Sequence, residues 1–339
     1  MTRKFHIAVV GATGLVGSEL VESLASRRFP VDTLRLFASL NTAGEKVPFL
    51  DDEVPVEPIS ADYARGRDII FFAAHPMLSR DLAEEAVKAG AVVIDASRAF
   101  RTDPGVPVVV PELNPGDLAG VRQGRGIVAS PSSAAVAVAL VAAPLHQRFG
   151  AKRIIAVTTY GSAAAGRAGL SEHQAQTIGL FNQQEEMDCE RFSRQSAFNL
   201  FPRVGEFADE ETEAERDLES EVPRLLKASV RVAATAVQAP YFCGTGTALN
   251  IEFAKPATAA EAREALRSAP GVFVMDEPGQ DEYPDTVAAM SRSEVLVGRI
   301  RQDPSHESAL QLWVSADNLR KGSALNMVQI AEELIKGWK

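Results

Sequence analysis

One short segment brings together several hydroxyl side chains that could do chemistry. Residues 130–135 read Ser-Pro-Ser-Ser-Ala-Ala and stand directly before an alanine- and valine-rich run. A serine nucleophile such as Ser133 needs a neighbouring base, by preference a histidine. No sequence spacing makes a histidine the partner of Ser133; the candidates are His6, His75, His146, His173 and His306. Because serines before such a run are good helix-capping residues, we interpret Ser133 first as the start of a helix.

The two cysteines are the other candidate nucleophiles. Cys189 and Cys243 are too few for a disulfide framework in a chain of 339 residues, which favours reduced thiols and a cytoplasmic location. Cys243 lies in a glycine-containing loop, residues 240–247, where it is either a small packing thiol or a relocated nucleophile. No group of histidines, cysteines and carboxylates has the spacing of metal ligands, so we expect no metal site.

A glycine-rich loop near the N-terminus could hold phosphate groups. An apolar run, residues 5–10, ends at Gly11-Ala-Thr-Gly-Leu-Val-Gly17, and an amphipathic helical pattern follows. Gly11 permits a tight turn, Gly14 lets backbone amides approach a pyrophosphate, and Gly17 lets the helix pack on the strand. A plain strand-to-helix turn is the alternative. The cofactor-binding candidates are Gly11, Thr13, Gly14, Leu15, Val16 and Gly17.

The segments that must position this loop alternate between strand-like and helix-like patterns. After the first strand we predict strands at 34–38, 68–73 and 91–95, a helix at 78–89, and an extended run at 107–110. Such alternation predicts an α/β fold with a parallel, doubly wound sheet.

The end of the second predicted strand should select the cofactor. An acidic residue there would bind the ribose hydroxyls of NAD, and a nearby arginine would suit the 2′-phosphate of NADP. The segment reads Phe37-Ala-Ser-Leu-Asn-Thr-Ala-Gly44 and offers neither. The sequence therefore leaves NADP, NAD and an altered or lost cofactor open.

The composition of the chain argues against some classes of binding partner. The formal net charge is −10, which argues against nucleic acid or an anionic membrane as a partner because both require a basic surface. No apolar run approaches the ~20 residues of a membrane span, and the N-terminus does not read as a secretory signal. The charge-dense stretch 206–221 is most simply a solvated loop and helix face.

Several longer motifs carry a resemblance to one enzyme family. They are Gly11-Ala-Thr-Gly-Leu-Val-Gly17, Val93-Ile-Asp-Ala-Ser-Arg-Ala-Phe-Arg101, Val108-Val-Val-Pro-Glu-Leu-Asn114, Ala197-Phe-Asn-Leu-Phe-Pro202, Val297-Gly-Arg-Ile-Arg301 and Ala316-Asp-Asn-Leu-Arg-Lys-Gly-Ser-Ala-Leu-Asn326. With these, the chain resembles aspartate-semialdehyde dehydrogenase over essentially its whole length. More narrowly, it looks like the divergent bacterial paralogue of that enzyme, which lacks the catalytic cysteine.

The resemblance implies two domains and a homodimer. Residues 1–130 plus a C-terminal helix from about Asn318, together 1–130 and 318–339, would form the NAD(P)-binding Rossmann-like domain. Residues 131–317 would form an α+β domain of the catalytic and dimerisation type. The apolar stripe of the C-terminal segment, from Leu325 to Leu334, independently predicts a helix there.

The family reaction depends on a cysteine and a histidine that this chain lacks. In the family, a thiolate attacks an aldehyde and hydride passes to the nicotinamide, leaving a thioester that phosphate cleaves. The cysteine position aligns with Ser133, whose hydroxyl ionises far above neutral pH and forms a poorer acyl donor. The acid–base histidine aligns with Thr245, which cannot exchange a proton near pH 7.

Other functional positions of the family have changed as well. The arginine that pairs with the substrate carboxylate aligns with Gln238, and the glutamine that orients the intermediate aligns with Gly161. The phosphate-site lysine falls near Asp217, and the arginine for the NADP phosphate falls near Asn41. A neutral amide thus replaces a cationic clamp.

Four positions are retained according to the resemblance. Arg101 matches a phosphate-contacting arginine, Glu215 matches the carboxylate that binds the substrate amine, and Asn318 and Gln329 lie where the family approaches the nicotinamide. Ordinary structural roles are the alternatives, an ion pair for Arg101 and a helix cap for Asn318.

These observations together predict a degenerate active site. Catalytic groups that act as a unit are non-additive, so the loss of the nucleophile alone costs orders of magnitude in rate. We therefore expect no appreciable aspartate-semialdehyde dehydrogenase activity. The expected ligands are a nicotinamide nucleotide or a small anion held by Arg101, Glu215 and Gln238. The alternatives are an active oxidoreductase on a related aldehyde or oxo substrate of amino-acid biosynthesis, and a structural or regulatory interaction protein with an unused nucleotide crevice.

Overall fold

The computed structural model describes residues 3–121, 126–184 and 186–338. The chain forms two compact units, Met1–Ser132 with Ser323–Lys339, and Ser133–Gly322. Residues 318–322, expected in the nucleotide domain, therefore belong to the second unit. The reason is local: the Asn318 side chain accepts a hydrogen bond from the Gly244 amide, and Gly322 packs on Ser133.

The first unit is built on a mainly parallel sheet. Its strands are β1 Phe5–Val10, β2 Val31–Ala38, β3 Lys46–Phe49, β4 Asp52–Pro58, β5 Ile69–Phe72, β6 Val92–Asp95 and β7 Gly126–Ala129. Its helices are α1 Leu15–Ser26, α2 Pro76–Lys88 and α8 Leu325–Ile335, with a 3₁₀ turn at Pro115–Gly120. The strand order is β3-β4-β2-β1-β5-β6-β7, and only the β3–β4 pair is antiparallel. This confirms the predicted doubly wound, Rossmann-like fold.

The position of β1 in the sheet puts the glycine-rich loop where this kind of fold binds ligands. β1 lies between β2 and β5, and nearly all of its side chains are buried. In open parallel sheets ligands bind beyond the carboxyl ends of the strands, where the strand order reverses. Gly11 follows the carboxyl end of β1 directly, so the loop stands where the fold places ligands.

The second unit is built on a mixed sheet. Its strands are β8 Ala151–Tyr160, β9 Phe207–Ala208, β10 Glu211–Thr212, β11 Arg231–Gln238, β12 Thr245–Phe253, β13 Val272–Val274, β14 Val295–Gln302 and β15 Ala309–Ala316. Its helices are α3 Ser133–Phe149, α4 Gly166–Phe181, α5 Glu213–Leu226, α6 Ala259–Arg267 and α7 Thr286–Ala289. The main sheet has the order β11-β8-β12-β15-β14-β13, and β9 pairs with β10 separately.

Helix α3 is the central helix of this unit. It packs against α5, α6 and the main sheet, and its residues 134–143 are all buried. A helix that is apolar on all sides must lie inside the protein, so the helix predicted to start at Ser133 is present, is buried and continues to Phe149.

Two predicted segments differ from the structure. The C-terminal helix does not start near Asn318: α8 begins at Leu325, after a π-helical turn at Arg320–Ala324. The Asp317 carboxylate accepts hydrogen bonds from the amides of Leu319 and Arg320, and this side-chain bonding holds the chain in a turn. The charge-dense stretch 206–221 is not solvated throughout, because its last residue, Glu221, is buried on α5.

Candidate active site

The glycine-rich loop of the first unit requires its glycines. Gly11 has φ +87°, and a Cβ there would lie 2.3 Å from the Ala73 carbonyl oxygen. A Cβ on Gly17 would lie 2.1 Å from the Gly11 carbonyl oxygen. Gly14 is the residue before α1, with Leu15 and Val16 as its first two residues. No side chain fits at the first and third glycines, and the α1 N-terminus favours an anionic group in front of it.

A hydroxyl pair ties this loop to the turn after β2. The Thr13 Oγ1 lies 3.0 Å from the Thr42 Oγ1, and Thr42 also hydrogen-bonds the Ser39 carbonyl oxygen. Asn41 lies between these residues with an exposed side chain. The turn that should select the cofactor is therefore held beside the loop, and it carries the neutral amide of Asn41, near which the resemblance puts the family's arginine.

Arg101 is fixed by main-chain acceptors. Its Nε donates to the Ser130 carbonyl oxygen over 3.1 Å, and its guanidinium also donates to the Ala96 carbonyl oxygen over 2.6 Å. These bonds join the ends of β6 and β7 just before α3. Gln329 lies on α8 and donates to the Glu112 carboxylate over 2.8 Å.

Ser133 is the first residue of α3. A Cβ placed on Gly322 would lie 2.5 Å from the Ser133 Cβ, so the glycine lets the two segments approach. No hydrogen bond joins the Ser133 hydroxyl to any residue in the described ranges, and hence no base is positioned to remove its proton. The geometry agrees with a helix-start role for Ser133.

A loop closes over the position of the family's glutamine. The amides of Gly161, Ser162 and Ala163 donate to the carbonyl oxygens of Gly244, Tyr241 and Phe242 over 3.1, 2.8 and 2.8 Å. A Cβ on Gly161 would lie 2.8 Å from the Phe242 carbonyl oxygen and 2.9 Å from the Cys243 amide nitrogen. The backbone therefore occupies the space that any side chain at residue 161 would need.

The same loop carries the position of the family's histidine. Thr245 opens β12 and is 2% exposed. Asn318 anchors the loop rather than capping a helix, because its Oδ1 accepts from the Gly244 amide over 2.6 Å. Burial, reinforced by Asp317, raises the pKa of the Cys243 thiol, which is the opposite of what a nucleophilic thiolate requires.

Gln238 is buried at the carboxyl end of β11. It is 2% exposed, and its amide nitrogen donates to the carbonyl oxygens of Tyr160 and Ala239 over 3.1 and 3.2 Å. Both amide protons are therefore committed to the backbone. In this orientation Gln238 has no donor left for an anion.

Glu215 serves the framework of the second unit. Its carboxylate accepts from the amide and hydroxyl of Thr212 over 2.7 and 2.8 Å, forming the capping box of α5. Its other oxygen accepts from the Ala236 amide on β11 over 2.9 Å. Burial, with Asp217, Glu221 and Glu215 nearby, raises the pKa of Tyr160. The surroundings of Tyr160 are thus acidic, and they include Asp217, near which the resemblance puts the family's lysine.

One serine–histidine pair was missed by sequence reasoning. His173 Nδ1 lies 3.0 Å from Ser196 Oγ, which also donates to Gln176. Ser196 is fully buried, and burial lowers the pKa of His173. No local signal links the two positions, and the burial makes this a packing interaction. Among the other histidines, His75 accepts from the Met77 amide and caps α2.

A small cavity lies beside Gln238. Its volume is about 180 Å³, and Arg191, Arg203 and Glu213 contribute to its wall. Sequence reasoning missed these three residues because the fold brings them together from separate segments. Within the described ranges, no three histidines, cysteines or carboxylates are grouped as metal ligands. No helix in the described part of the chain is long and apolar enough to cross a membrane.

Comparisons with known proteins agree with the fold. Residues 6–121 match the model of the semialdehyde dehydrogenase NAD binding domain, and residues 142–321 match that of the semialdehyde dehydrogenase dimerisation domain. The aspartate-semialdehyde dehydrogenase of Aquifex aeolicus is 38% identical over 335 residues, which are 98% of each chain. That of Synechocystis is 38% identical over 345 residues, covering 100% of both chains.

Solved structures give the same result. Aspartate semialdehyde dehydrogenase II from Vibrio cholerae superposes with a TM-score of 0.95 at 35% identity, over 99% of this chain and 100% of that one. The Candida albicans enzyme, solved with NADP, has the same fold with a TM-score of 0.75 at 20% identity, covering 99% of each chain. This chain, with an NAD-binding and a dimerisation domain, belongs to the aspartate-semialdehyde dehydrogenase family.

Proposed function

We propose that this chain is a divergent paralogue within its family that has lost the dehydrogenase chemistry and still binds a nicotinamide nucleotide. The residue at the nucleophile position supports the loss of dehydrogenase chemistry. Ser133 stands at the cysteine position with no base bonded to its hydroxyl, and a serine without a base is a poor nucleophile near neutral pH.

The packing of the 240–245 loop on Gly161 is the observation that carries the proposal. A single substitution such as Ser133 for cysteine leaves the rest of a site intact. Here the Phe242 carbonyl oxygen and Cys243 amide lie within 3 Å of any Cβ at residue 161, so the family's glutamine does not fit without moving the loop. Three backbone hydrogen bonds hold the loop in that place.

The remaining substitutions point the same way. Gln238 commits both amide protons to carbonyl oxygens and does not replace the cationic clamp. Thr245 offers no group that titrates near pH 7. Cys243 is not a substitute nucleophile, because the shift in its pKa disfavours the thiolate.

The first unit supports nucleotide binding. The glycines at 11 and 17 are required by close backbone approaches, and the loop ends at the N-terminus of α1. A bound nicotinamide would supply hydride acceptance or donation. The residues of this chain that would hold it are those of the loop, with the Thr13–Thr42 pair beside the ribose-selecting turn. The dimerisation domain supports a homodimer.

Turnover and binding test the two parts separately. Pure full-length protein is assayed with aspartate semialdehyde, NADP or NAD, and phosphate, beside the Aquifex relative. Because loss of a nucleophile costs on the order of 10⁶ in kcat, we expect no rate above background. Calorimetric titration should show saturable heat with NADP or NAD. A rate within tenfold of the relative would overturn the loss of chemistry, and no heat with either nucleotide would overturn the binding and leave an interaction protein.

A family member active on another aldehyde is the second candidate. The retained glycine-rich loop and Arg101 favour it over a purely structural protein. This second candidate would be established by turnover of any small aldehyde with NAD(P) that is abolished when the glycine-rich loop is disrupted.

A further inference from the structure

The carboxyl ends of β1 and β5 border the crevice in which this kind of fold binds ligands. β1 pairs with β2 on one side and with β5 on the other, so the strand order reverses beside β1, and ligands bind at such a point. The glycine-rich loop follows β1, and residues 73–75 follow β5. A Cβ on Gly11 would lie 2.3 Å from the Ala73 carbonyl oxygen and 3.2 Å from the Ala74 amide nitrogen. The two loops are therefore in direct contact.

The helices that follow these two loops begin differently. Gly14 precedes α1, and no side chain caps that helix. His75 precedes α2, and its Nδ1 accepts a hydrogen bond from the Met77 amide over 3.3 Å. Pro76 is the first residue of α2 and has no amide hydrogen. The first two residues of α2 thus leave no amide for a phosphate, whereas the N-terminus of α1 is open to one.

The capping bond determines which nitrogen of the His75 imidazole carries a proton. A ring nitrogen that accepts a hydrogen bond has no proton, so the proton of the neutral ring is on Nε2. The side chain is exposed, and no residue in the described ranges hydrogen-bonds its Nε2. The donor that the backbone lacks at residues 76 and 77 is therefore supplied by the imidazole, at the edge of the crevice.

The surroundings of this donor suit an anion. The first turns of α1 and α2 contain no acidic side chain, so no carboxylate of these turns competes with a phosphate. The N-termini of both helices carry a partial positive charge, which adds to the attraction. A diphosphate in the crevice would meet the amides of the glycine-rich loop on one side and the imidazole on the other.

We propose that His75 binds the diphosphate of a nicotinamide nucleotide, with Nε2–H donating to a phosphate oxygen while Nδ1 keeps the Met77 amide. The inference rests on the proposed function, because it requires a nucleotide in this crevice. It adds a side chain to a phosphate site otherwise built from backbone amides. Because capping alone requires one acceptor and no second nitrogen, the two nitrogens of the ring can be tested separately.

Two variants separate the two nitrogens. His75→Asn keeps an acceptor near the position of Nδ1, and asparagine is a good N-cap residue, but nothing in it reaches as far as Nε2. It should leave the midpoint of thermal unfolding unchanged and weaken NAD and NADP binding about tenfold, because a hydrogen bond to a charged acceptor is lost. His75→Gln places an amide nitrogen near the position of Nε2 and is a poorer cap. It should lower the midpoint and keep both affinities within about threefold of the wild type.

Calorimetric titration of the full-length protein measures these affinities. ADP-ribose, which has the diphosphate without the nicotinamide, should lose the same factor in His75→Asn as NAD does. Adenosine, which has no phosphate, should bind the wild type and this variant equally. His6→Asn lies near the amino end of β1, away from the crevice in the same unit, and is the matched control that should leave nucleotide binding unchanged.

The outcomes distinguish this inference from the proposed function. Equal affinities of the wild type and His75→Asn for NAD and NADP would overturn the role of His75 and leave nucleotide binding established. An equal loss for adenosine and ADP-ribose would also overturn it, because the imidazole would then not act on the diphosphate. No binding of either nucleotide to the wild type would overturn both.

Discussion

The Gly161 Cα faces the Cys243 backbone so closely that a Cβ on residue 161 would lie 2.9 Å from the Cys243 amide nitrogen. The resemblance puts the family's orienting glutamine at residue 161, and residues 241–244 form the loop before Thr245, where it puts the family's histidine. The contact makes the glycine at residue 161 and the closed conformation of residues 241–244 depend on each other. With glycine at 161 the loop closes on the backbone, and with the loop closed no side chain at 161 is accommodated.

Restoring the glutamine should therefore damage the fold rather than repair the site. Gly161→Gln is expected to lower the free energy of unfolding by about 1–3 kcal/mol, because it overpacks a buried contact with backbone atoms. Denaturant unfolding measures the change. Gly279→Gln, at a glycine with open space around it, is the control and should change stability by less than about 0.5 kcal/mol. Equal stabilities of the two variants would contradict the closed loop.

Ser133→Cys should create a reactive thiol without creating a dehydrogenase. The new thiol would open a helix of 17 residues, whose N-terminus stabilises a thiolate. We expect iodoacetamide to modify it faster than Cys243, as measured by mass spectrometry. Semialdehyde oxidation should stay at background, because no base is positioned at Thr245. Appreciable NADP reduction by this variant would show that one substitution had silenced an otherwise intact site.

Cys243 should react slowly in the native protein. Burial and then Asp317 raise the pKa of its thiol above the ordinary value, so less thiolate is present at any given pH. The alkylation rate of Cys243 should still be rising at pH 9, and exposed Cys189 should be modified first at pH 8. The pKa of Cys189 is also raised, by burial and nearby carboxylates, so accessibility decides the order. Rapid and selective labelling of Cys243 would instead identify a relocated nucleophile.

Asn41→Arg should increase the preference for NADP. The exposed side chain lies in the turn that Thr42 and Thr13 tie to the glycine-rich loop, and an arginine there would pair with the 2′-phosphate. Charge-assisted bonds contribute about 1.5–3 kcal/mol, so we expect NADP affinity to rise about 10- to 100-fold with NAD affinity unchanged. Thr102→Arg, an exposed position in the same unit, controls for net charge. A similar gain from both arginines would indicate non-specific attraction.

Tyr63 should make the first unit sensitive to alkali. Burial, followed by Glu85, raises the pKa of Tyr63 to about 12, whereas a tyrosine of the unfolded chain ionises near pH 10. Stability from this group is therefore complete below about pH 10 and falls as the pH rises through about 12. Tyr63→Phe should reduce the slope of unfolding free energy against pH in that window, while losing the 2.5 Å hydrogen bond to the Leu82 carbonyl oxygen. The same change at exposed Tyr283 should leave the slope unaltered, and an unaltered slope in Tyr63→Phe would refute the assignment.

Those features of the fold that depend on local pattern can be predicted from the amino-acid sequence. Gly11, Gly14 and Gly17 after an apolar strand were sufficient to predict the tight strand-to-helix turn, and at Gly11 and Gly17 close backbone approaches exclude a side chain. The serines before the alanine- and valine-rich run were sufficient to predict a helix that starts at Ser133, because such residues are good helix caps.

The contacts of the substituted residues depend on how distant segments pack and cannot be predicted from local pattern. Nothing local to Gln238 indicates that its two amide protons go to Tyr160 and Ala239, or that Arg191 reaches the same cavity from 47 positions earlier in the chain. The start of α8 at Leu325 rather than near Asn318 likewise depends on side-chain hydrogen bonds of Asp317 and Asn318. Hydrogen bonds and close approaches between distant segments form only once the sheets and helices have packed, and the polarity of a buried group depends on which partners that packing supplies.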